Sequence, residues 1–275
     1  MKVIETNYGL DPYVPTEETL FKQLQSNDID TDRILIKLPT THLINTLGLH
    51  RTQQIIDDFS KKNKEQKVFI SQHIWTKKLK FCDDDLVFTP HAYLRHSYKS
   101  IPHYSLTYDK SKIREDKDIL FSFFGAPNNL VRQEIIRNLE NCDSHKMGWG
   151  IDKRIKPEVK KRNTERYIDL MGRSIFSLCP RGTGISTIRL FEVMAMESIP
   201  VIYADNFKPP LNDFLDWSEF SVFIKEKDAI KTNKILKEYN QSDIDNMKNN
   251  LVSIYDKYFS NENLYMSVKM ELEKK

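Results

Sequence analysis

The sequence predicts an α/β protein made of two halves, each a parallel sheet layered with helices. Three observations carry this expectation. Short apolar runs that end in Gly, Pro or a charged residue alternate with stretches of helical periodicity. The alternation fades over "SYKSIPHYSLTYDKSKIREDKD" (97–118), a charged, turn-rich stretch that reads as a linker, and then resumes. The 275 residues, 39% hydrophobic and 29% charged, are enough to bury a core in each half. The expected organisation is residues 1–105 as one half, 116–260 as the second and 261–275 as a closing helix.

The elements follow in order. "RILIKLP" (33–39) is a short buried strand stopped by Pro39. Residues 41–62 carry apolar positions at helical spacing, with Gly48 as a break point. "KVFISQH" (67–73) and "DLVFTPH" (85–91) are further strands. In the second half, "DILFSFFG" (118–125) is a strand ended by Gly125, and "NLVRQEIIRNLE" (129–140) is an amphipathic helix. Residues 145–163 read as a basic loop, with a helix starting at Thr164 as N-cap. Then come a strand at 175–179, a glycine loop, a helix at 186–197, strands at 199–204 and 220–224, and helical patterns at 228–239, 242–259 and 261–275. Parallel sheets bind ligands at the carboxyl ends of their strands, which places the expected site in a cleft between the halves.

Bulk properties narrow the function. The formal net charge is +3, from 42 basic and 39 acidic residues, which gives no global footprint for nucleic acid. Cys82, Cys142 and Cys179 are far apart and form no metal-like spacing. The N-terminus has no apolar signal region and no run has the length of a membrane span, so the reading is a cytoplasmic protein.

The stretch "SIFSLCPRGTGISTIRLFEVMAMESIPVIYADN" (174–206) concentrates the chemistry. A strand ends at Cys179 and Pro180. Gly182 and Gly184 permit a sharp turn and close backbone approach, and Arg181 sits in the same turn. A helix N-terminus near Ser186 and Thr187 follows, so turn and helix together suit a pyrophosphate. The P-loop lysine is missing, because Ile185 stands in its place, and only "GTG" of a dinucleotide fingerprint is present. The helix is apolar almost all round except for Arg189 and Glu192. Charges there need partners, and their i, i+3 spacing puts them on neighbouring positions. Either they form a structural ion pair, or they face the cleft, Glu192 toward a ribose and Arg189 toward phosphate. Asp205 and Trp217 read as a cap and as core packing.

These residues resemble the signature block of exostosin-like glycosyltransferases, glycosyltransferase family 47. The resemblance rests on Cys179, Pro180 and Gly182; on Ser186, Arg189 and Glu192; on "IPVI" (199–202); and on "LDWSEFSV" (215–222). Upstream, "ILFSFFGAPNNLVRQEII" supplies Gly125 and Arg132. The close match covers about 117–260. The resemblance implies a GT-B-like fold, two Rossmann-like α/β domains facing a cleft. It also implies an inverting, metal-independent enzyme. The enzyme would move a sugar from a UDP-sugar (UDP-xylose, UDP-glucuronate or UDP-galactose) to a hydroxyl of a glycan or glycoconjugate acceptor, with no cofactor beyond the donor. By motif position, Arg181, Gly182, Thr183, Ser186, Arg189, Glu192, Arg132 and Gly125 are expected at the nucleotide. Lacking the membrane anchor of Golgi members, the chain looks like a bacterial or virus-encoded cytoplasmic enzyme.

An inverting transfer needs a base facing the leaving group, expected from the first half. Candidates near strand ends are His73, Asp83, Asp84, Asp85 and His91, with His73 and Asp85 first. "DDD" (83–85) precedes its strand, unlike a metal-binding DxD, so no metal site is expected. The basic run 152–163 reads as a solvated loop or as a guide for anions. The competing class is a catalytically silent member of the same kind, a scaffold or partner subunit that keeps nucleotide binding. A nucleic-acid binder is the third class, opposed by the balanced charge. No nucleic-acid partner and no membrane span are expected, and a homodimer stays open.

Overall fold

A computed structural model describes residues 1–8, 15–144 and 156–274. The chain divides into two units. The first gathers Met1–Tyr104, Asn206–Leu215 and Tyr258–Lys275, and the second Ser105–Asp205 and Asp216–Lys257. The second half expected at 116–260 is thus interrupted: 206–215 and the closing helix join the N-terminal unit, and 105–115 joins the second.

The first unit holds β1 (Lys2–Glu5), α1 (Pro15–Ser26), β2 (Ile34–Lys37), α2 (Thr40–Lys62), β3 (Lys67–Ile70), β4 (Leu86–Thr89) and β5 (Lys99–Ser100). The strands are all parallel, in the order β1-β2-β3-β4-β5. Strand alternation distributes the apolar runs to two faces. Leu35, Val68, Ile70 and Phe88 point to one face, where Leu20, Phe21 and Leu24 of α1 cover them. Ile34, Ile36, Phe69 and Val87 point to the other, covered by Leu43, Ile44, Ile55 and Ile56 of α2. Gly48 breaks α2 as expected, with φ 77° and ψ 171°, a backbone conformation that suits glycine.

The second unit holds β6 (Ile119–Phe124), α3 (Leu130–Asn138), β7 (Cys142–Asp143), α4 (Pro157–Arg173), β8 (Ser174–Pro180), α5 (Arg189–Ala195), β9 (Ile199–Tyr203), β10 (Val222–Phe223), α6 (Thr232–Leu236) and α7 (Gln241–Ile254). Its strands are also all parallel, in the order β7-β6-β8-β9-β10. The last helix, α8 (Tyr265–Leu272), returns to the first unit, where Leu264 and Val268 pack beside α1. No helix among the described residues is long and apolar enough to cross a membrane.

Three local expectations are corrected. The helix expected from Thr164 starts at Pro157, whose ring presets the first helical φ, and Lys156 is the N-cap. Much of the basic run is therefore helical, and its residues 152–155 lie outside the described ones. The helix expected over 186–197 is only Arg189–Ala195, ended by Glu197 at φ 51°. Gly172 of α4 is a close-approach glycine the sequence did not flag. A Cβ there would lie 2.1 Å from the Lys112 carbonyl oxygen.

Candidate functional site

The second unit's strand order reverses between β6 and β8. Its first strand lies between its second and third, the 2-1-3-4-5 arrangement of doubly wound sheets. Ligands in such sheets bind at the carboxyl ends beside that reversal. Here those ends carry Gly125 and Ala126 after β6, and Arg181 and Gly182 after β8.

Arg189, at the head of α5, is 7% exposed. Its guanidinium lies between two rings, 4.6 Å from the Phe123 centroid and 4.7 Å from that of Tyr167. It donates a short hydrogen bond to the Phe124 carbonyl. Gly125 is what lets it in: a Cβ there would sit 2.7 Å from Arg189 Nη2 and 2.8 Å from Phe123 Cζ.

Glu192 is 4% exposed and engages tyrosines rather than Arg189. Tyr167 Oη–H donates to Oε2 at 2.7 Å and Tyr108 Oη–H to Oε1 at 2.9 Å. No Arg189–Glu192 ion pair forms among the described residues, so of the two alternatives the structural ion pair is replaced by two separate sets of contacts. Burial raises the Glu192 carboxyl above its ordinary pKa. The Tyr167 hydrogen bond, the Arg189 charge, the Tyr108 hydrogen bond and a backbone hydrogen bond from Leu106 oppose the rise. A ribose hydroxyl at Glu192 would meet a carboxylate whose two oxygens already accept from tyrosines.

Arg132, 8% exposed on α3, fastens the two strand ends together. Its Nε donates to Arg181 O at 2.9 Å, Nη1 to Ala126 O at 3.3 Å and Nη2 to Pro180 O at 3.1 Å. Burial lowers its pKa to about 10, with the Arg189 charge the next cause. Asn129 caps α3 by accepting from the Arg132 N–H at 3.0 Å, and its amide donates to Arg181 O at 2.6 Å and Gly182 O at 3.2 Å. Arg181 is about one-third exposed and pairs with Glu226 at 2.7 Å.

The glycine loop does not use a positive φ. Among the described residues, Gly48 is the glycine with one. A Cβ at Gly182 would make only ordinary contacts, 3.5 Å from Arg132 Nη2. The described hydrogen bonds leave the N–H groups of Gly182, Thr183 and Gly184 without a protein acceptor. Thr183 is exposed and Ser186 buried. Helical bonding starts beyond them, with Leu190 N–H donating to Thr187 O. Chemically, this edge offers open amides and one partly exposed guanidinium, backed by two buried ones. Asp205 accepts from the Glu226 N–H at 2.9 Å, a cap as expected, and Trp217 is core, 4.9 Å from the Phe220 ring.

The base candidates lie in the first unit. His73 follows β3 at its carboxyl edge, half-buried, and burial lowers its pKa, which keeps the ring neutral at pH 7. Its Nδ1 accepts from the Trp75 N–H at 3.0 Å, so the neutral ring carries its hydrogen on Nε2. His91, at the end of β4, is buried, and burial first, then His73 and Lys77, lowers its pKa to about 4. Asp85 does not join them. It precedes β4, at the opposite edge, where its buried carboxylate pairs with Lys67 Nζ at 3.2 Å and accepts from the Lys67 N–H at 3.0 Å. Asp83 and Asp84 are exposed in the same turn. The expected base Asp85 is therefore an anchor between neighbouring strands. Among the described residues, no group of three or more His, Cys, Asp or Glu is arranged to hold a metal ion.

Sequence reasoning missed Tyr108, Tyr167, Asn129 and Glu226. Asn129 was legible as a residue one position before an apolar helix. The tyrosines carried no pattern, and Tyr108 lies in the stretch that reads as a linker.

Comparison with known proteins gives relatives at both levels. An exostosin-1 homolog from Caenorhabditis elegans is 22% identical over 136 residues, 46% of this chain and 36% of that protein. A probable glucuronosyltransferase from Oryza sativa subsp. japonica is 40% identical over 79 residues, 29% of this chain and 19% of that protein. The matches thus span about a third or less of these relatives' own length. The crystal structure of a glycosyltransferase from Rickettsia africae ESF-5 aligns with a TM-score of 0.43 at 10% identity, covering 99% of this chain and 98% of that one. The model of the Exostosin GT47 domain matches residues 41–239, well over half of the sequence. The chain belongs to the exostosin GT47 family.

Proposed function

We propose that the chain is an inverting, metal-independent glycosyltransferase that moves a sugar from a UDP-sugar to a hydroxyl of a glycan acceptor. UDP-xylose, UDP-glucuronate and UDP-galactose are the donors that fit the family, and the enzyme works in the cytoplasm of a bacterium or a virus-infected cell. The observation that carries the reading is the β6–β8 edge of the second unit. There, three open amides (Gly182, Thr183, Gly184) sit beside Arg181, with Arg132 and Arg189 buried behind. As the glycosidic bond breaks, the departing diphosphate gains charge. Arg181 and the amides contact it, and the buried guanidiniums add to the field without reorganising.

The acceptor hydroxyl loses its proton to a base on the face opposite the leaving group, which inverts the anomeric centre. His73 fills that role only after its Nδ1 leaves the Trp75 N–H, because a neutral imidazole has one lone-pair nitrogen. That engagement favours a second reading, a silent family member that binds nucleotide but lacks a usable base.

The test is calorimetric titration of UDP into the wild type and Arg181→Ala, with thermal melts to check folding. UDP binding in the wild type that weakens about tenfold or more in the variant is expected for loss of a charge-assisted contact. A folded wild type with no affinity for any nucleoside diphosphate or nucleotide sugar overturns the proposal. Sugar transfer to mixed acceptors that His73→Ala abolishes separates the enzyme from the silent reading.

A further inference from the structure

The two edges of the first unit's sheet differ chemically. At the amino edge exposed Asp28, Asp30, Asp32, Asp83 and Asp84 are mixed with exposed Lys61, Lys62 and Lys64. At the carboxyl edge, residues 72–81 leaving β3 and 90–98 leaving β4 contain no carboxylate. Those segments expose a mixed aromatic and basic surface instead. Trp75 is 44% exposed, with the Lys78 ammonium 5.0 Å from its ring centroid. Lys77 Nζ lies 4.4 Å from the Tyr93 centroid and donates to Tyr93 Oη at 2.9 Å, which ties the two segments together. His73 lies against Trp75 at 5.3 Å and His96 against Tyr93 at 5.6 Å, and Arg95 is exposed beside them.

Among the described residues, the acids near this edge are already committed. Glu17 is buried and accepts from the Thr41 hydroxyl at 2.5 Å and the Gln72 N–H at 2.7 Å. Asp213 and Glu271 pair with Lys99, and Asp213 also with Lys274. Lys77, Lys78 and Arg95 therefore face solvent with no carboxylate partner among the described ion pairs.

We propose that this surface binds an anionic glycan, the acceptor of the glycosyltransferase reading on which the inference rests. An aromatic face takes the C–H side of a pyranose ring by dispersion and apolar burial. Ammonium groups held over ring faces keep a defined position from which to pair with a carboxylate or sulfate on the same sugar. Carbohydrate is favoured over nucleic acid because the basic surface is small and belongs to a chain with a formal net charge of only +3.

The test titrates the full chain with a hexagalacturonate (carboxylates), a sulfated dextran hexamer (sulfates), maltohexaose (neutral) and a short single-stranded RNA. The variants are Lys77→Ala/Lys78→Ala and the distal exposed pair Lys61→Ala/Lys62→Ala, which removes the same charge, with thermal melts confirming that each folds. An acidic oligosaccharide should bind and maltohexaose should not. The Lys77/Lys78 variant should lose about fivefold or more in affinity, and the Lys61/Lys62 variant should not. The arm bound more tightly tells carboxylate from sulfate. Equal binding of maltohexaose, equal loss in both variants, or tighter binding of RNA overturns the inference. UDP titrated into the same samples keeps the two ideas apart: UDP binding without glycan binding sinks only this surface, whereas a wild type that ignores UDP sinks the enzyme.

Discussion

Tyr167→Phe removes one hydroxyl from the best-defined buried charge in the second unit. Glu192 is 4% exposed, and the Tyr167 hydroxyl donates to Oε2 at 2.7 Å. A hydrogen bond to a charged group contributes about 1.5–3 kcal/mol, so the variant should lose roughly that much at neutral pH. The loss should depend on pH with a definite sign. Burial already raises the carboxyl pKa above its ordinary value, so the folded protein holds that proton more tightly than the unfolded chain. The resulting contribution to stability is complete in acid and is lost as pH rises through the folded pKa. Removing the Tyr167 donor raises the folded pKa further. The variant's deficit should therefore be largest at about pH 8 and shrink toward about pH 4, where the carboxyl is protonated in both proteins. Urea unfolding of wild type and variant across that range measures the difference. A deficit below about 0.5 kcal/mol, or one that is flat with pH, would mean that Glu192 is not a buried carboxylate held by tyrosines.

Three further outcomes follow from the same contacts. Gly125→Ala places a Cβ 2.7 Å from Arg189 Nη2 and should cost about 1–3 kcal/mol while weakening UDP binding; an unchanged melting temperature would show that Arg189 is free to move aside. Asp85→Asn leaves Lys67 buried without its counter-charge and should destabilise by about 3 kcal/mol or more, yet leave transfer activity per folded molecule intact; abolished transfer in a folded variant would restore Asp85 as the base. Burial lowers the His91 pKa to about 4, so between about pH 6.5 and 4 the unfolded chain binds the extra proton and His91 alone costs up to about 3 kcal/mol of stability; His91→Gln should make the fall shallower, the remainder belonging to the neighbouring His103, whose pKa burial also lowers, and parallel loss in both proteins would refute it.

Much of the fold was legible because parallel strands buried on both faces write themselves as apolar runs. Ile34–Lys37, Lys67–Ile70, Ile119–Phe124 and Ile199–Tyr203 all fall inside runs read as strands. β5 and β7, with two residues each, are too short to carry a pattern. The site was legible in its residue types and less so in its contacts. Arg189 and Glu192 had to find partners, but spacing names only the neighbours on the same helix. The partners came from Phe123, Phe124, Tyr108 and Tyr167, which tertiary structure brings in. Asp85 was chosen for its proximity to a strand, whereas sequence order alone puts it before β4, at the amino edge, and only the carboxyl end of a parallel sheet faces ligand.

The first unit includes Met1–Tyr104 but takes a helix from Tyr265–Leu272, whose Val268, with Leu264 just before it, completes one face of its sheet beside α1. During synthesis, then, this half waits with part of one greasy flank uncovered until residues 264–268 leave the ribosome, while the second unit is made before them. Cutting the gene after codon 104 would release an orphaned, sticky fragment. Independent production of the two halves calls for a rewired chain, with residues 206–215 and 258–275 both spliced behind residue 104.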